Sequence, residues 1–468
     1  MGDSRDAMKV RRALEARKLE LPFLETDLPL NLDLSRRDIL KIAGYGSLAA
    51  FIAACGGSPT TTTGSTTGGT MSIGSYQSDP GVKAGLTDIV NAFTTANGGT
   101  KVTVNTVSHN IFQDTINAYL QGTPEDVFTW FSGHRMRFFA DKGLATPIDD
   151  VWDAVKSNYT GAFATAVKGN DGHVYAVPTD YYPWAVFYRK DVFAAKGYTV
   201  PTNWDDFKAL CAKMKTDGLS PVAMGQNDGW PAQGTFDIIN LRLNGYDFHT
   251  RLLVGQEKWT DPKVTAVFKK WAEITQYYSP APNGTTWQQA ADKLLRKQAG
   301  MYVLGLFVSD EFKASGSQAD VDQLDFFPFP DLGTQFDAEK ALDAPIDVYM
   351  MSKKSPTLSK DSGQAKAFLQ FMAKGPAQGL FFKKSPGSIP TANDADTSTY
   401  TPLQKKAQQI VSAAGKITQF FDRDSRPDFA GANGMQSFLK TFIANPQADP
   451  TSLQGKMQQF WDSLPAEV

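Results

Sequence analysis

The chain has 468 residues, with 47 Lys+Arg against 49 Asp+Glu and a formal net charge of −2; this near-balance excludes a dominant basic surface for nucleic acid or anionic lipid. Two cysteines and four scattered histidines exclude a disulfide framework. No His-x-x-x-His or Cys-x-x-Cys pair offers zinc spacing either, so neither metal nor cofactor is expected.

The first feature in chain order is an export address. Arg36 and Arg37 precede the short apolar run from Ile42 to Phe51, which closes on Ile52-Ala53-Ala54-Cys55. A basic front, roughly 7–15 apolar residues and small residues before the cut make a secretory signal, and the paired arginines fit the twin-arginine route. A membrane span needs about 20 apolar residues, whereas this run is shorter and is broken by Gly44, Gly46 and Ser47. The Ile-Ala-Ala-Cys ending resembles a bacterial lipobox, which makes Cys55 the expected lipidation site. Residues 1–54 therefore read as a signal peptide with a cytoplasmic leader, and 55–69 as lipidated Cys and tether. The Gly, Ser and Thr of the tether have nothing to bury. The expected location is extracytoplasmic, lipid-anchored to the cell membrane.

About 400 residues follow from Thr70, too many for one comfortable core, so two domains are expected. Met71-Ser72-Ile73 reads as a strand, and Leu86, Ile89, Val90 and Phe93 share one helical face that Asn97-Gly98 ends. Lys101–Val107 alternates as a strand. A helix carrying Phe112, Ile116, Tyr119 and Leu120 runs to Gly122, and the apolar strand Val127–Phe131 follows. This βαβαβ order predicts an open parallel sheet.

Thr202 or Asn203 caps a helix that buries Trp204, Phe207, Leu210, Cys211 and Met214, and Asp261-Pro262 opens another burying Val264, Val267, Phe268, Trp271 and Ile274. A helix from Ser362 buries Ala365, Phe368, Leu369 and Met372, with its stop at Gly375-Pro376. The last third is mostly helical and closes on Met457, Phe460, Trp461 and Leu464.

Several segments, taken in order, resemble one family. They are Gly122-Thr123-Pro124-Glu125-Asp126-Val127 followed by Trp130, Gly143–Ile148, Tyr175–Pro178, Phe187–Phe193, Pro201-Thr202-Asn203-Trp204-Asp205-Asp206-Phe207, and Lys297–Met301 with Gly305 and Phe307. The chain resembles a carbohydrate-type extracellular solute-binding protein of an ABC importer, of the maltose-binding protein group. Phe307 stands where many relatives carry Trp, and the polar sugar contacts of the maltose protein are not recognisably kept.

The resemblance implies an α/β, two-lobed periplasmic-binding-protein fold, each lobe a mostly parallel sheet flanked by helices, with the ligand cleft between lobes. The expected lobes are 70–180 plus 329–385 and 186–327 plus 390–468, with crossings near Thr179–Val186, Phe327–Pro330 and Ser385–Pro390. It implies a monomer that takes a sugar or oligosaccharide and hands it to a two-subunit ABC permease. The alternatives are a polyol, glycerol phosphate or peptide ligand on the same fold, an adhesive surface lipoprotein, or a glycoside hydrolase.

A sugar offers an apolar C–H face and a rim of hydroxyls, so its site needs flat aromatics together with paired donors and acceptors. Trp130, Tyr182, Trp184, Trp230 and Phe307 are the candidate aromatics, since they sit at strand ends or in turn sequence near the expected crossings. Tyr181 belongs to the same cluster. Asp180, Asp347, Arg423 and Asp424 are the candidate rim residues, with Gln77, Asn227 and Arg135 behind them. Trp204 and Trp271 lie on helical stripes and read as core. Asp149-Asp150 and Asp205-Asp206 are acid pairs at helix starts, where they favour the dipole, rather than a hydrolase's separated acids. With no nucleophile elbow or phosphate loop, no catalysis is expected.

Overall fold

Residues 68–466 are described by a computed structural model. Arg36, Arg37, Cys55 and the tether up to Thr67 lie outside the described residues.

The N-terminal βαβαβ reading holds. β1 (Thr70–Ser75), β2 (Lys101–Thr106) and β3 (Val127–Phe131) pair in parallel, joined by the helices Pro80–Ala96 and His109–Gln121. β3 is buried at every position, which is why it reads as an unbroken apolar run. Three further strands complete a six-stranded sheet: β4 (Ala176–Tyr181), β10 (Ile346–Met351) and β11 (Ile389–Pro390), in the order β11-β4-β10-β3-β1-β2. The second lobe is a four-stranded sheet of β6 (Ser220–Ala223), β7 (Ala299–Gly305), β5 (Trp184–Arg189) and β8 (Leu324–Phe327). Within these two sheets parallel pairing is confined to β2-β1-β3 and β6-β7; β10 pairs antiparallel with β3 and β4, and β5 with β7 and β8. The sheets are therefore mixed rather than mostly parallel, because strands that arrive from the other lobe enter from the opposite end.

The chain changes sheets first at Tyr182-Pro183, within the expected stretch. The second crossing is later than expected. After Phe327 the chain stays with the second lobe, where Asp331 N donates to Thr202 O at 3.0 Å and Asp331 O accepts from Trp204 N at 2.8 Å. It then forms β9 (Ala341–Asp343), parallel to β12 (Lys416–Thr418), and crosses at Ala344-Pro345. The third crossing also moves. Ile389 and Pro390 still pair with Tyr181 and Asp180, and Asn393 N donates to Asn158 O at 2.7 Å, so the chain leaves only between there and the helix Pro402–Ala413. Backbone pairing with distant strands decides both positions, and a Pro or Gly in sequence does not report it.

Local chemistry explains two of the expected helix starts. The Asn203 side chain accepts from Asp206 N to start Trp204–Thr216, and that of Asp261 accepts from Lys263 N to start Pro262–Thr275. Trp204, Trp271 and Cys211 are buried as expected. The helix Gly363–Met372 ends just before Gly375-Pro376 as expected, and the same pair opens the next helix, Gly375–Lys384, since proline is tolerated in a first turn.

One bend matters for later. The helix Pro231–Leu253 is broken at Gly245, whose φ of 81° is left-handed, and a Cβ there would overlap the Phe336 ring. Gly245→Ala is expected to cost about 2–3 kcal/mol, combining backbone strain with that overlap, measured by urea unfolding. A change under ~0.5 kcal/mol would show that the bend is not required.

Candidate functional site

The floor of the cleft is set by strand register. β4 and β10 are neighbours with Asp180 opposite Asp347, so two carboxylates stand side by side at the cleft end of the larger sheet. Burial, then the adjacent Asp347, push the Asp180 carboxyl up to about 7. Burial raises Asp347 too, against the pull of Arg423.

Arg423 enters from the short helix Phe421–Asp424. Its Nη1 lies 2.7 Å from Asp347 Oδ1, Nη2 donates to the Tyr182 hydroxyl at 2.7 Å, and the guanidinium lies 4.2 Å over the Phe131 ring. Burial acts to lower its pKa, but Asp347, Tyr182 and Asp422 more than offset that and keep it charged. The Arg423–Asp347 contact is close yet poorly aligned. Asp347 Oδ1, Asp422 Oδ1 and Arg423 Nε and Nη1 are buried without an aligned hydrogen-bond partner among the described residues, so donors and acceptors remain for hydroxyl groups.

The opposite wall is aromatic. Trp230 meets Phe307 at 5.8 Å and 64°, Trp184 at 6.4 Å and 88°, and Trp287 at 6.3 Å and 53°. Trp184 stacks on Phe420 at 4.8 Å and 15°. These edge-to-face pairs hold the rings rigid. With the floor they enclose about 290 Å³, at the small end of the ~300–1,000 Å³ usual for ligand sites.

Contacts across the mouth show that the two lobes are closed. Asn110 Nδ2 donates to Asp228 Oδ1 at 3.1 Å, and His109 faces Trp230 at 6.3 Å. Asp310 accepts from Ser385 Oγ at 2.7 Å and Gly387 N at 2.9 Å. Burial outweighs those two bonds and pushes the Asp310 carboxyl up to about 7.

An open form would return Asp310 to water and its ordinary value. Closure then takes up a proton below about pH 7, and its advantage is lost as the pH rises through that value. Ligand affinity is expected to fall from about pH 4 to about pH 7 and to level off above that, by at most about 1.4 kcal/mol per unit from this group. Asp310→Asn, which keeps an acceptor for Gly387 and a donor for Ser385, should flatten that part of the slope in titration calorimetry. An unchanged slope would remove Asp310 from the closure.

The family model for bacterial extracellular solute-binding proteins matches residues 78–379, which include the whole four-stranded sheet and four of the six strands of the larger one. The chain belongs to this family.

An ABC transporter extracellular-binding protein of Pyrococcus horikoshii is 28 % identical to this solute-binding protein over 299 residues, covering 63 % of this chain and 64 % of that one. The α-glucosides-binding periplasmic protein AglE of Rhizobium meliloti is 23 % identical, covering 76 % and 80 %. Among solved structures, the bacterial solute receptor AcbH is 42 % identical with a TM-score of 0.80, covering 84 % of this chain and 99 % of that one. AcbH is described by an exclusive substrate preference for β-D-galactopyranose.

Seven of the nine sequence candidates line the solute-binding protein's cleft: Asp180, Tyr182, Trp184, Trp230, Phe307, Asp347 and Arg423. Trp130 does not. It is fully buried behind the floor, packed on Phe139 at 5.6 Å and under the Arg135 guanidinium at 5.0 Å, because its side of β3 faces the helices and not the cleft. Asp424 is turned away as well, accepting from Gln419 N at 2.9 Å and lining a separate groove beside Tyr181.

Among the second-rank candidates, Gln77 lines the cleft, while Arg135 pairs with Asp422 at 3.3 Å beneath it. The charged 421–430 segment forms two short helices, Phe421–Asp424 and Pro427–Ala430, with Asp422 and Arg423 buried. Sequence reasoning missed Trp287, Phe420, His109 and Asp310. Trp287 follows the Thr286 cap as the first helical residue, a position that could have flagged it; the others carry no local signal.

Proposed function

We propose that this protein captures a single neutral pyranose, of the D-galactose kind, between its lobes, closes over it and releases it to the transmembrane subunits of an ABC importer. The observation that carries this is the closed cavity: about 290 Å³, an aromatic wall on one side and a buried Asp180–Asp347–Arg423 rim on the other. That volume suits one ring rather than a chain, and the two walls match a sugar's apolar face and its hydroxyl edge. The 42 % identity with a galactopyranose receptor across nearly all of that receptor supports the same class. Asp79, Asp180, Asp228, Asp310, Glu311, Asp347 and Asp422 line the cleft, against the one guanidinium of Arg423, and this charge argues against glycerol phosphate, sugar acids and anionic peptides. The protein acts as a monomeric receptor and leaves the sugar chemically unchanged. Cys55 carries the lipid, and Arg36-Arg37 direct twin-arginine export to the outer face of the cell membrane.

A thermal-shift panel of purified protein with D-galactose, D-glucose, L-arabinose, raffinose, galacturonate and glycerol 3-phosphate tests the ligand. Ligand at 100 times its dissociation constant stabilises by about 2.7 kcal/mol. A shift with galactose, and none with the two anions, is expected. Shifts confined to the anions or to raffinose would overturn the reading.

A further inference from the structure

Three buried side chains converge beside the second crossing, and none of them lines the ligand cavity. Asp237 and His249 come from the two arms of Pro231–Leu253, brought together by the bend at Gly245, and Asp343 ends β9 just before the chain crosses. All three are 0 % exposed. Asp237 Oδ1, His249 Nε2 and Asp343 Oδ2 lie within 4.8 Å of one another, and none of the three has a hydrogen-bond partner among the described residues. Their other polar atoms are taken. Asp237 Oδ2 accepts from Phe421 N at 2.6 Å, Asp343 Oδ1 accepts from the Thr418 hydroxyl, and His249 Nδ1 lies 3.0 Å from the Asn240 amide. Each side chain is gripped from behind and aims its free atom at a common point.

Two buried carboxylates without a paired cation are costly, several kcal/mol per ion. Arg242 acts on Asp343 only from a distance, with its Nη1 committed to Ala341 O at 2.8 Å. A dication would balance both. Imidazole nitrogen and carboxylate oxygen bind zinc at about 2.0–2.2 Å, which separates neighbouring donors by about 3–4 Å, and His249 Nε2 already stands 3.8 Å from Asp237 Oδ1. Calcium and magnesium take all-oxygen shells, whereas a nitrogen donor favours zinc.

We propose that Asp237, His249 and Asp343 bind one divalent cation of the zinc class, which ties the second crossing to the segment 418–424. Coordination through Nε2 places the His249 proton on Nδ1, facing the Asn240 amide oxygen. An amide presents oxygen or nitrogen with the same shape, so Asn240 decides the tautomer, and its contact with Asn244 at 2.7 Å makes that choice a shared one. The cation would also reach the ligand cavity indirectly. The carboxylates that hold it also hold Thr418 and Phe421, and the next two residues are Asp422 and Arg423.

Metal content of protein purified without chelator or nickel resin, with thermal unfolding before and after chelation, tests this. About one equivalent of zinc, a lower unfolding temperature in EDTA and recovery with Zn²⁺ are expected, together with roughly tenfold weaker ligand binding in the metal-free form. Asp343→Asn should lose the metal and its thermal shift. Asn240→Asp, which fixes the proton on Nδ1, should bind zinc more tightly. Protein free of metal and indifferent to both chelator and Zn²⁺ overturns the proposal and leaves Asn240 donating to Nδ1. So does stabilisation by Ca²⁺ or Mg²⁺ alone.

Discussion

Arg423→Ala is expected to abolish sugar binding and to lower unfolding stability by about 3–5 kcal/mol, the usual result of stripping one partner from a buried charge group. The guanidinium is 4 % exposed, lies against Asp347 and above Phe131, and donates to Tyr182. Its removal leaves Asp347 and Asp422 buried, with Arg135, 3.3 Å from Asp422, as the remaining cation nearby. Binding fails for a second reason: Arg423 Nε and Nη1 are the unpaired donors on the rim. Asp347→Asn in the Arg423→Ala background should recover part of the stability and none of the binding, a coupling that a double-mutant cycle reads directly. Urea unfolding and titration calorimetry measure the two effects. A stable Arg423→Ala protein with intact affinity would show that the rim is elsewhere.

Trp230→Ala should weaken ligand binding by about 100-fold, or about 2.7 kcal/mol, with a smaller loss of stability. Trp230 closes the aromatic wall, touching Phe307 and Trp287 on its own lobe and His109 on the other, so its loss removes both a flat surface for the sugar and a contact made on closure. Trp184 is the contrast. It is 2 % exposed and stacked on Phe420, so Trp184→Ala should cost about 3–5 kcal/mol of stability along with affinity. Trp230→Phe, which keeps a ring, should recover most of the binding. Equal effects of Trp184→Ala and Trp230→Ala on stability would mean that both are core residues.

The positions of the crossings show where reading the chain stops working. Proline and glycine mark a change of direction, yet beside Pro330 the chain is still bonded to the start of the helix Trp204–Thr216, and Pro390 still pairs with β4. The cleft aromatics were legible for a related reason: Trp230 lies in turn sequence, and Trp184 follows Pro183 at the very start of its strand. Trp130 looked similar at its strand end, and only the direction of its side of β3 separates it from Asp347 opposite Phe131. The Asp237, His249 and Asp343 cluster at the second crossing shares no local spacing, and it assembles only because Gly245 folds the helix back.

The sequence by itself determined the family, the parallel β-α-β start, most of the helices with their caps, and the residue types of a sugar site, because these depend on neighbours within a turn or two of chain. The tertiary structure alone decided where the lobes exchange strands, which carboxylates stand side by side, that Asp310 bridges the closed mouth, and that Asp237, His249 and Asp343 meet. Each of those rests on pairing between residues tens to hundreds of positions apart. Their proximity, and the burial that reshapes their charges, exist only once the sheets are formed.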